Sequence, residues 1–152
     1  MSGPSERWEL APSEPGGAAG ALALLDRVGL PTDDLAGVPP ARFRTVERDG
    51  RTVGCVAVLP YGADGLLRSL AVAPEARGRG LGAALVGAAE ALARASGLAS
   101  LTLLTESAAP FFERHGYRRI SREDAPAAVQ RSAQFTGEGC SSCATCMAKR
   151  LV

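Results

Sequence analysis

One segment constrains this chain more than any other: Leu66-Leu-Arg-Ser-Leu-Ala-Val-Ala-Pro-Glu-Ala-Arg-Gly-Arg-Gly-Leu-Gly82. A strand-like apolar run stops at Pro74, passes through Arg77-Gly78-Arg79-Gly80-Leu81-Gly82, and opens onto an amphipathic stretch from Leu81 to Ala95. The predicted order is strand, glycine loop, helix. Glycines let main chain approach a bulky ligand and adopt positive φ at little steric cost. Successive N–H groups at a helix N-terminus make an anion site, helped by the helix dipole. Arg77 and Arg79 add positive charge beside it. This is chemistry for a pyrophosphate. Two phosphate loops are excluded. A nucleoside-triphosphatase loop needs Gly-Lys-Ser/Thr, and no lysine stands here. The dinucleotide pattern G-x-G-x-x-G is not met by Gly78-x-Gly80-x-Gly82, and no acidic residue follows about 20 residues on after a second strand.

The rest of the chain sets bounds on what that segment serves. Its 152 residues fit one domain over 1–152, with residues 1–5 expected to be flexible. A chain of this size buries enough surface to fold without a disulfide or metal staple. Lys+Arg 17 against Asp+Glu 16 gives a net charge of +1, which argues against nucleic acid and anionic membrane as partners. No run approaches 18 unbroken apolar residues, and the N-terminus shows neither a basic region nor an apolar core before a cleavage site. The cytoplasm is the expected compartment. Lys149 is the only lysine, which reads as compositional bias towards arginine.

The elements follow from periodicity and punctuation. Arg7–Leu10 reads as a short strand, Ala18–Val28 as a helix stopped by Gly29, and Pro31–Leu35 as a capped helix start. Phe43–Arg48 and Arg51–Leu59 flank Asp49-Gly50, a strong hairpin signal. Tyr61–Gly65 reads as a turn and Leu66–Val72 as a strand. In Leu81–Ala95 the residues Leu81, Leu85, Ala88 and Leu92 form one stripe. Then come a strand at Ser100–Thr105, a short helix at Ala108–His115, a strand at Tyr117–Ser121, a helix at Asp124–Arg131 and a last strand at Ala144–Val152. The predicted class is α/β (α+β), with a mixed, mostly antiparallel sheet flanked by helices.

The loop also satisfies R-x-x-G-x-G, with Arg77, Gly80 and Gly82 after a strand ending Leu-Ala-Val-x-Pro. In this the chain resembles the GCN5-related N-acetyltransferases (GNAT), over roughly residues 5–152. A second landmark, Ala109-Pro-Phe-Phe-Glu-Arg-His-Gly-Tyr117, is similar to that family's A-x-x-F-Y-x-x-x-G-F/Y. Leu30-Pro-Thr-Asp-Asp-Leu35, Gly65–Val72, Leu103–Ala108, Phe111-Phe112 and Ala125–Val129 resemble the arsenic-resistance-linked branch, itself similar to the acetyltransferase domain of N-acetylglutamate synthase. The resemblance implies acetyl-CoA as cosubstrate. It implies that Leu70, Ala71 and Val72 offer backbone hydrogen bonds to the pantetheine arm, that Arg77, Gly78, Arg79, Gly80, Leu81 and Gly82 wrap the pyrophosphate, and that the strand at 100–105 splays from the strand at 66–72. It implies a small amine or amino-acid-like acceptor, an arsenical or other toxic analogue among the options, and a monomer or homodimer. Phe112 occupies the position where many members carry a tyrosine that protonates the departing thiolate; it contributes to the cofactor site but has no proton to give, so the general acid is unassigned.

An ammonium acceptor must lose its proton, and a carboxylate is the expected base. Glu106, at the end of the strand at 100–105, is the first candidate, against a role complementing the next helix's dipole. Glu47 is the second, against a solvated hairpin charge. Alternation places Leu66, Arg68, Leu70 and Val72 on one face of their strand. A guanidinium there wants a carboxylate, either the acceptor's or an internal one. Ser69 and Thr105 are candidate lining residues. His115, the only histidine, suits a helix C-terminus. Cys55 reads as a small buried hydrophobe, whereas Cys140-x2-Cys143-x2-Cys146 offers three local thiols where a structural zinc wants four ligands. Those cysteines carry the alternative function, a non-catalytic sensor on the same fold that binds acetyl-CoA or a metalloid; the other option is an ordinary C-terminal segment.

Overall fold

The computed structural model describes residues 9–12, 18–30, 41–136 and 144–152. Among the described residues, seven strands form one sheet in the order β1-β2-β3-β4-β5-β7-β6. They are β1 (Glu9–Pro12), β2 (Arg42–Arg48), β3 (Arg51–Tyr61), β4 (Asp64–Val72), β5 (Ser100–Thr105), β6 (Arg118–Ile120) and β7 (Thr145–Arg150). The helices are α1 (Ala18–Val28), α2 (Leu81–Ala95), α3 (Ala109–Arg114), α4 (Ala127–Gln130) and α5 (Ala133–Thr136). Every neighbouring pair of strands is antiparallel except β4 and β5. The expected class and most expected elements stand.

Several boundaries moved, each for a local reason. Asp49 and Gly50 both take positive φ, 53° and 75°, which a two-residue hairpin turn with the strands' own twist requires. The second turn is tighter than expected, so β4 begins at Asp64 rather than Leu66. The helix expected at 124–131 is a 3-10 turn at Arg122–Asp124, then α4 and α5. Ser132 separates those two, because its hydroxyl accepts the Phe135 N–H and restarts the chain. Of the expected N-terminal strand, Glu9 and Leu10 are described, within a strand that runs to Pro12; Arg7, Trp8 and the helix start at Pro31–Leu35 lie outside the described residues.

Helix α2 buries Leu81, Leu85, Val86, Ala89, Glu90, Leu92 and Ala93, so Ala89 rather than Ala88 carries the stripe. Each of its fully buried leucines and its valine contributes roughly 1.5–3 kcal/mol. Directly paired residues share a face of the sheet, which sorts the two sides. Gly54, Val58, Leu67 and Leu101 belong to the side covered by α2, where a Cβ on Gly54 would meet Leu85 at 3.0 Å. Cys55, Ala57, Leu66, Arg68, Thr102, Cys146 and Ala148 belong to the other side.

The α2 side is closed by a charged network. Glu90 takes hydrogen bonds from Lys149 Nζ at 3.0 and 3.1 Å and from the Tyr117 hydroxyl at 3.1 Å. Lys149 Nζ also donates to the His115 carbonyl at 2.9 Å. Three donors on a compact head reach two elements at once, which explains the lone lysine better than compositional bias does.

Candidate active site

The site begins where β4 and β5 part. They pair only at Gly65–Leu101 and Leu66–Thr102. From Leu67 onward the β5-facing edge of β4 has no strand partner among the described residues, while β5 continues beside β7 up to Thr105–Thr145. The two parallel strands thus open a wedge towards their C-terminal ends. That is the splay expected from the resemblance.

A bulge widens the departure. Ala57 pairs with Arg68 and Cys55 with Ala71, so Ser69 and Leu70 together face Val56. Ser69 takes φ +61°, a left-handed conformation that costs a non-glycine residue about 1–2 kcal/mol. Its carbonyl accepts from Cys55 Sγ at 3.3 Å, and its hydroxyl accepts from Arg68 Nε at 3.3 Å. The Cys55 thiol is pushed up to about 12, chiefly by burial, so it stays protonated as the buried hydrophobe the sequence indicated. The bulge corrects one expectation. Arg68 does not share a face with Val72; past the extra residue the alternation shifts, and Arg68 lies on the face of Ala57, Cys55 and Ala71, opposite α2.

The loop stands at the open end of the wedge. Gly78 and Gly80 take φ +81° and +76°, and a Cβ at either would meet nothing within 4 Å, so backbone faces open space there. Gly80 is the N-cap of the 15-residue α2, no side chain among the described residues caps it, and no acidic residue stands in the first turn. Orphan N–H groups with a positive dipole end and no competing carboxylate are what a pyrophosphate needs. Arg77 is anchored to the strand it follows, its Nε donating to the Val72 carbonyl at 3.1 Å. Arg79 is exposed on the loop. Leu81 is buried and holds the helix start to the core. Gly82 abuts the Phe111 ring, where an added Cβ would lie 3.4 Å away. The residues present therefore fit the cosubstrate the resemblance implies.

The other expected residues divide. Leu70, Ala71 and Val72 lie on the length of β4 that β3 borders on one edge and that has left β5 on the other. Thr105 ends β5, and its hydroxyl oxygen accepts the Ala108 N–H at 3.0 Å, shaping the turn into α3. Glu106 follows, exposed at the same end of the sheet. Glu47 sits near the end of β2, in register with Thr52. With β3 between it and β4, it lies about 10 Å from the wedge across two strand spacings. Phe112 is buried, edge-on to Phe111 and Tyr117 at 5.1 and 5.5 Å. His115 caps α3 and stacks on Phe111 at 4.6 Å, as a helix end. Tyr117, whose hydroxyl donates to Glu90 within the core, is pushed up by burial and by the Glu90 charge. It cannot replace the missing acid. Cys140 and Cys143 lie outside the described residues; Cys146 is buried, and burial raises its thiol.

Arg122 was not legible. Its Nη2 is buried without a hydrogen-bond partner among the described residues, its guanidinium lies 5.7 Å from the Phe135 ring centroid, and its charge acts on Cys146. Between Ser121 and Glu123 nothing in the sequence distinguishes it. Cys146 pairs with Leu104 of β5, so Arg122 stands over the side of the wedge that Arg68 also faces.

Comparison with known proteins agrees with this geometry. A model of the acetyltransferase (GNAT) domain family matches residues 39–119, more than half of the chain. Amino-acid acetyltransferases of Ralstonia nicotianae and Azotobacter vinelandii are 38% identical over 88 residues and 40% identical over 89, in each case 57% of this chain. The matched part spans about a fifth of those relatives, 20% and 21% of their length. Among solved structures, N-acetylglutamate synthase of Neisseria gonorrhoeae with coenzyme A and N-acetyl-glutamate superposes with a TM-score of 0.75, at 23% identity, over 96% of this chain and 35% of that one. A Mycobacterium tuberculosis protein in complex with CoA and NLQ gives 0.71, at 24% identity, over 95% and 99%. At those identities the structural likeness speaks for the fold. With the family model over the wedge and the loop, the chain belongs to the GNAT acetyltransferases.

Proposed function

We propose that the protein transfers the acetyl group of acetyl-CoA to the amine of a small, amino-acid-like acceptor. The observation that carries this is the wedge between β4 and β5, open at the end where the glycine loop starts α2 and faced by Arg68 on the side away from α2. The curated relatives called amino-acid acetyltransferases support the acceptor class.

In this reading the chain contributes position first. The amides of 78–82 hold the pyrophosphate, and the free edge of Leu70–Val72 holds the pantetheine arm and the thioester carbonyl. Alignment of that kind supplies about 7–11 kcal/mol of a barrier, and one oxyanion donor about 3–4 kcal/mol. Glu106, directly or through water, takes the proton of the acceptor's ammonium, with Glu47 as the more distant alternative. Arg68 and Arg122 receive the acceptor's carboxylate. Ser69 and Thr105 line the approach. Neither Phe112 nor Tyr117 protonates the thiolate, so water does. A free thiol's pKa of about 8.5 makes that tolerable.

Thiol release from acetyl-CoA, measured across glutamate, methionine, phosphinate- and arsinate-bearing amino acids and simple alkylamines, tests the acceptor class. Release with amino acids is expected. Arg68→Ala should lower kcat/KM for carboxylate-bearing acceptors by about 30- to 150-fold, in line with about 2–3 kcal/mol for a charged hydrogen bond, and leave alkylamines within a few-fold. Equal loss for both discards the carboxylate clamp. Release with alkylamines alone discards the amino-acid reading.

A further inference from the structure

A concavity of about 770 Å³ lies on the side of the sheet away from α2, at the opposite end from the glycine loop. Its floor is β5, β7 and β6, and one wall is the segment from Ser121 to Pro126. No residue of the proposed acetyl-transfer site lines it. From Ser100, on its floor, to Thr105 is about 17 Å along β5.

Its lining carries both signs of charge. Arg118 and Arg150 come from β6 and β7, and neither guanidinium has a hydrogen-bond or ion-pair partner among the described residues. Asp64 and Asp124 lie against the same space, each accepting one hydroxyl: Ser100 Oγ at 2.6 Å and Ser121 Oγ at 3.0 Å. Each carboxylate keeps lone pairs to spare. In the floor stands Thr102, 0% exposed, whose Oγ1 has no hydrogen-bond partner among the described residues. A buried hydroxyl without a partner is costly and uncommon. Here it belongs to a concavity of the size that takes small molecules.

We propose that this concavity binds a small zwitterion: an anionic group against Arg118 and Arg150, an ammonium against Asp64 and Asp124, and a hydrogen bond to Thr102 Oγ1. A pure anion would meet two carboxylates, and a pure cation two guanidinia; a molecule with both charges meets neither penalty. Thr102 also gives the site a consequence. It forms the last paired rung, with Leu66, before β4 and β5 separate. A ligand held by Thr102 grips the strand at the hinge of the cofactor wedge, so the two sites are coupled. By linkage, each ligand changes the other's affinity by the same factor.

Calorimetry on the full chain tests this with four probes: L-leucine and phosphoethanolamine as zwitterions, N-acetyl-leucine as anion only, isopentylamine as cation only. One or both zwitterions should bind at one site with a dissociation constant of about 1 mM or tighter, and the single-charge probes at least tenfold more weakly. Leucine against phosphoethanolamine decides between carboxylate and phosphate as the anion. Arg68→Ala should leave this binding intact, which separates it from binding at the acceptor site. The pair Arg118→Gln/Arg150→Gln should weaken it at least tenfold. Thr102→Val should weaken it while raising Tm, because the unpartnered hydroxyl is gone, so loss of binding there is not loss of fold. Saturating acetyl-CoA should change the zwitterion's dissociation constant at least twofold. Equal binding of all four probes, or unchanged affinity in the arginine pair and in Thr102→Val, overturns the site; affinity indifferent to acetyl-CoA overturns the coupling.

Discussion

The two sides of the sheet treat buried polar groups in opposite ways. On the α2 side, Glu90, Lys149, Tyr117 and the His115 carbonyl satisfy one another, tying α2, β7 and the end of α3 into one unit. On the far side, Thr102 Oγ1 and Arg122 Nη2 are buried without partners among the described residues. A closed network of this kind stabilises and orders a fold. Unpaired groups destabilise it, and they persist where something else is to be bound. The contrast separates a side that holds the molecule together from a side that receives small molecules.

Substitutions can break that contrast or sharpen it. The largest effect should come from Glu90→Ala, which leaves Lys149 without its carboxylate and Tyr117 without its acceptor. Loss of about 3–5 kcal/mol is expected by denaturant titration. Acetyl-CoA affinity per folded molecule should be unchanged; a loss below 1 kcal/mol would show that the network contributes little. Gly80→Val forces a branched side chain into left-handed backbone and into the anion cradle. Stability should fall by about 1–2 kcal/mol, and acetyl-CoA affinity at least tenfold; unaltered affinity would remove the loop from the site.

Alkaline pH probes the protonated groups near the wedge and in the core. The thiol of Cys55 and the hydroxyl of Tyr117 both have raised pKa values in the folded state, mainly through burial. A raised acid keeps its proton when folded, so its contribution is whole below the usual value and fades as pH rises through the folded one. For Cys55 that window runs from 9.0 to about 12, and the slope is about 1.4 kcal/mol per pH unit for one proton. Cys55→Ala should flatten that limb in thermal melts from pH 9 upward, leaving the higher Tyr117 limb. Arg122→Met should act with the opposite sign to Glu90→Ala: about 1 kcal/mol more stable, since a buried donor without a partner is removed, yet slower with carboxylate-bearing acceptors. A destabilised Met variant would mean that Arg122 is satisfied where it stands. The smallest change belongs to the surface. Arg27 and Glu75 form an ion pair at 2.9 Å with both side chains nearly half exposed, and Arg27→Ala should leave the thermal midpoint unchanged within error.

Legibility followed the range of the interactions. The hairpin at Asp49-Gly50, the strand at Ser100–Thr105 and the helix at Leu81–Ala95 were readable because their signals are contiguous. The helix expected at 124–131 was not, because Ala125, held extended by the proline after it, and Pro126 itself leave only Ala127–Gln130 helical. Of the site, the loop was legible residue by residue. The face of Arg68 was not, since strict alternation fails once two residues of β4 oppose one of β3. The only lysine stands out in the sequence, but its role does not, because its partner Glu90 is 59 residues away.

By itself, then, the sequence determined the strand–loop–helix that cradles a pyrophosphate, since turn, φ demands and helix dipole are set by neighbours along the chain. The tertiary structure alone decided which side of the sheet each charge occupies, where β4 and β5 part, and which polar groups are left waiting. Those outcomes depend on a bulge and on strand order, which bring together residues that no local pattern connects.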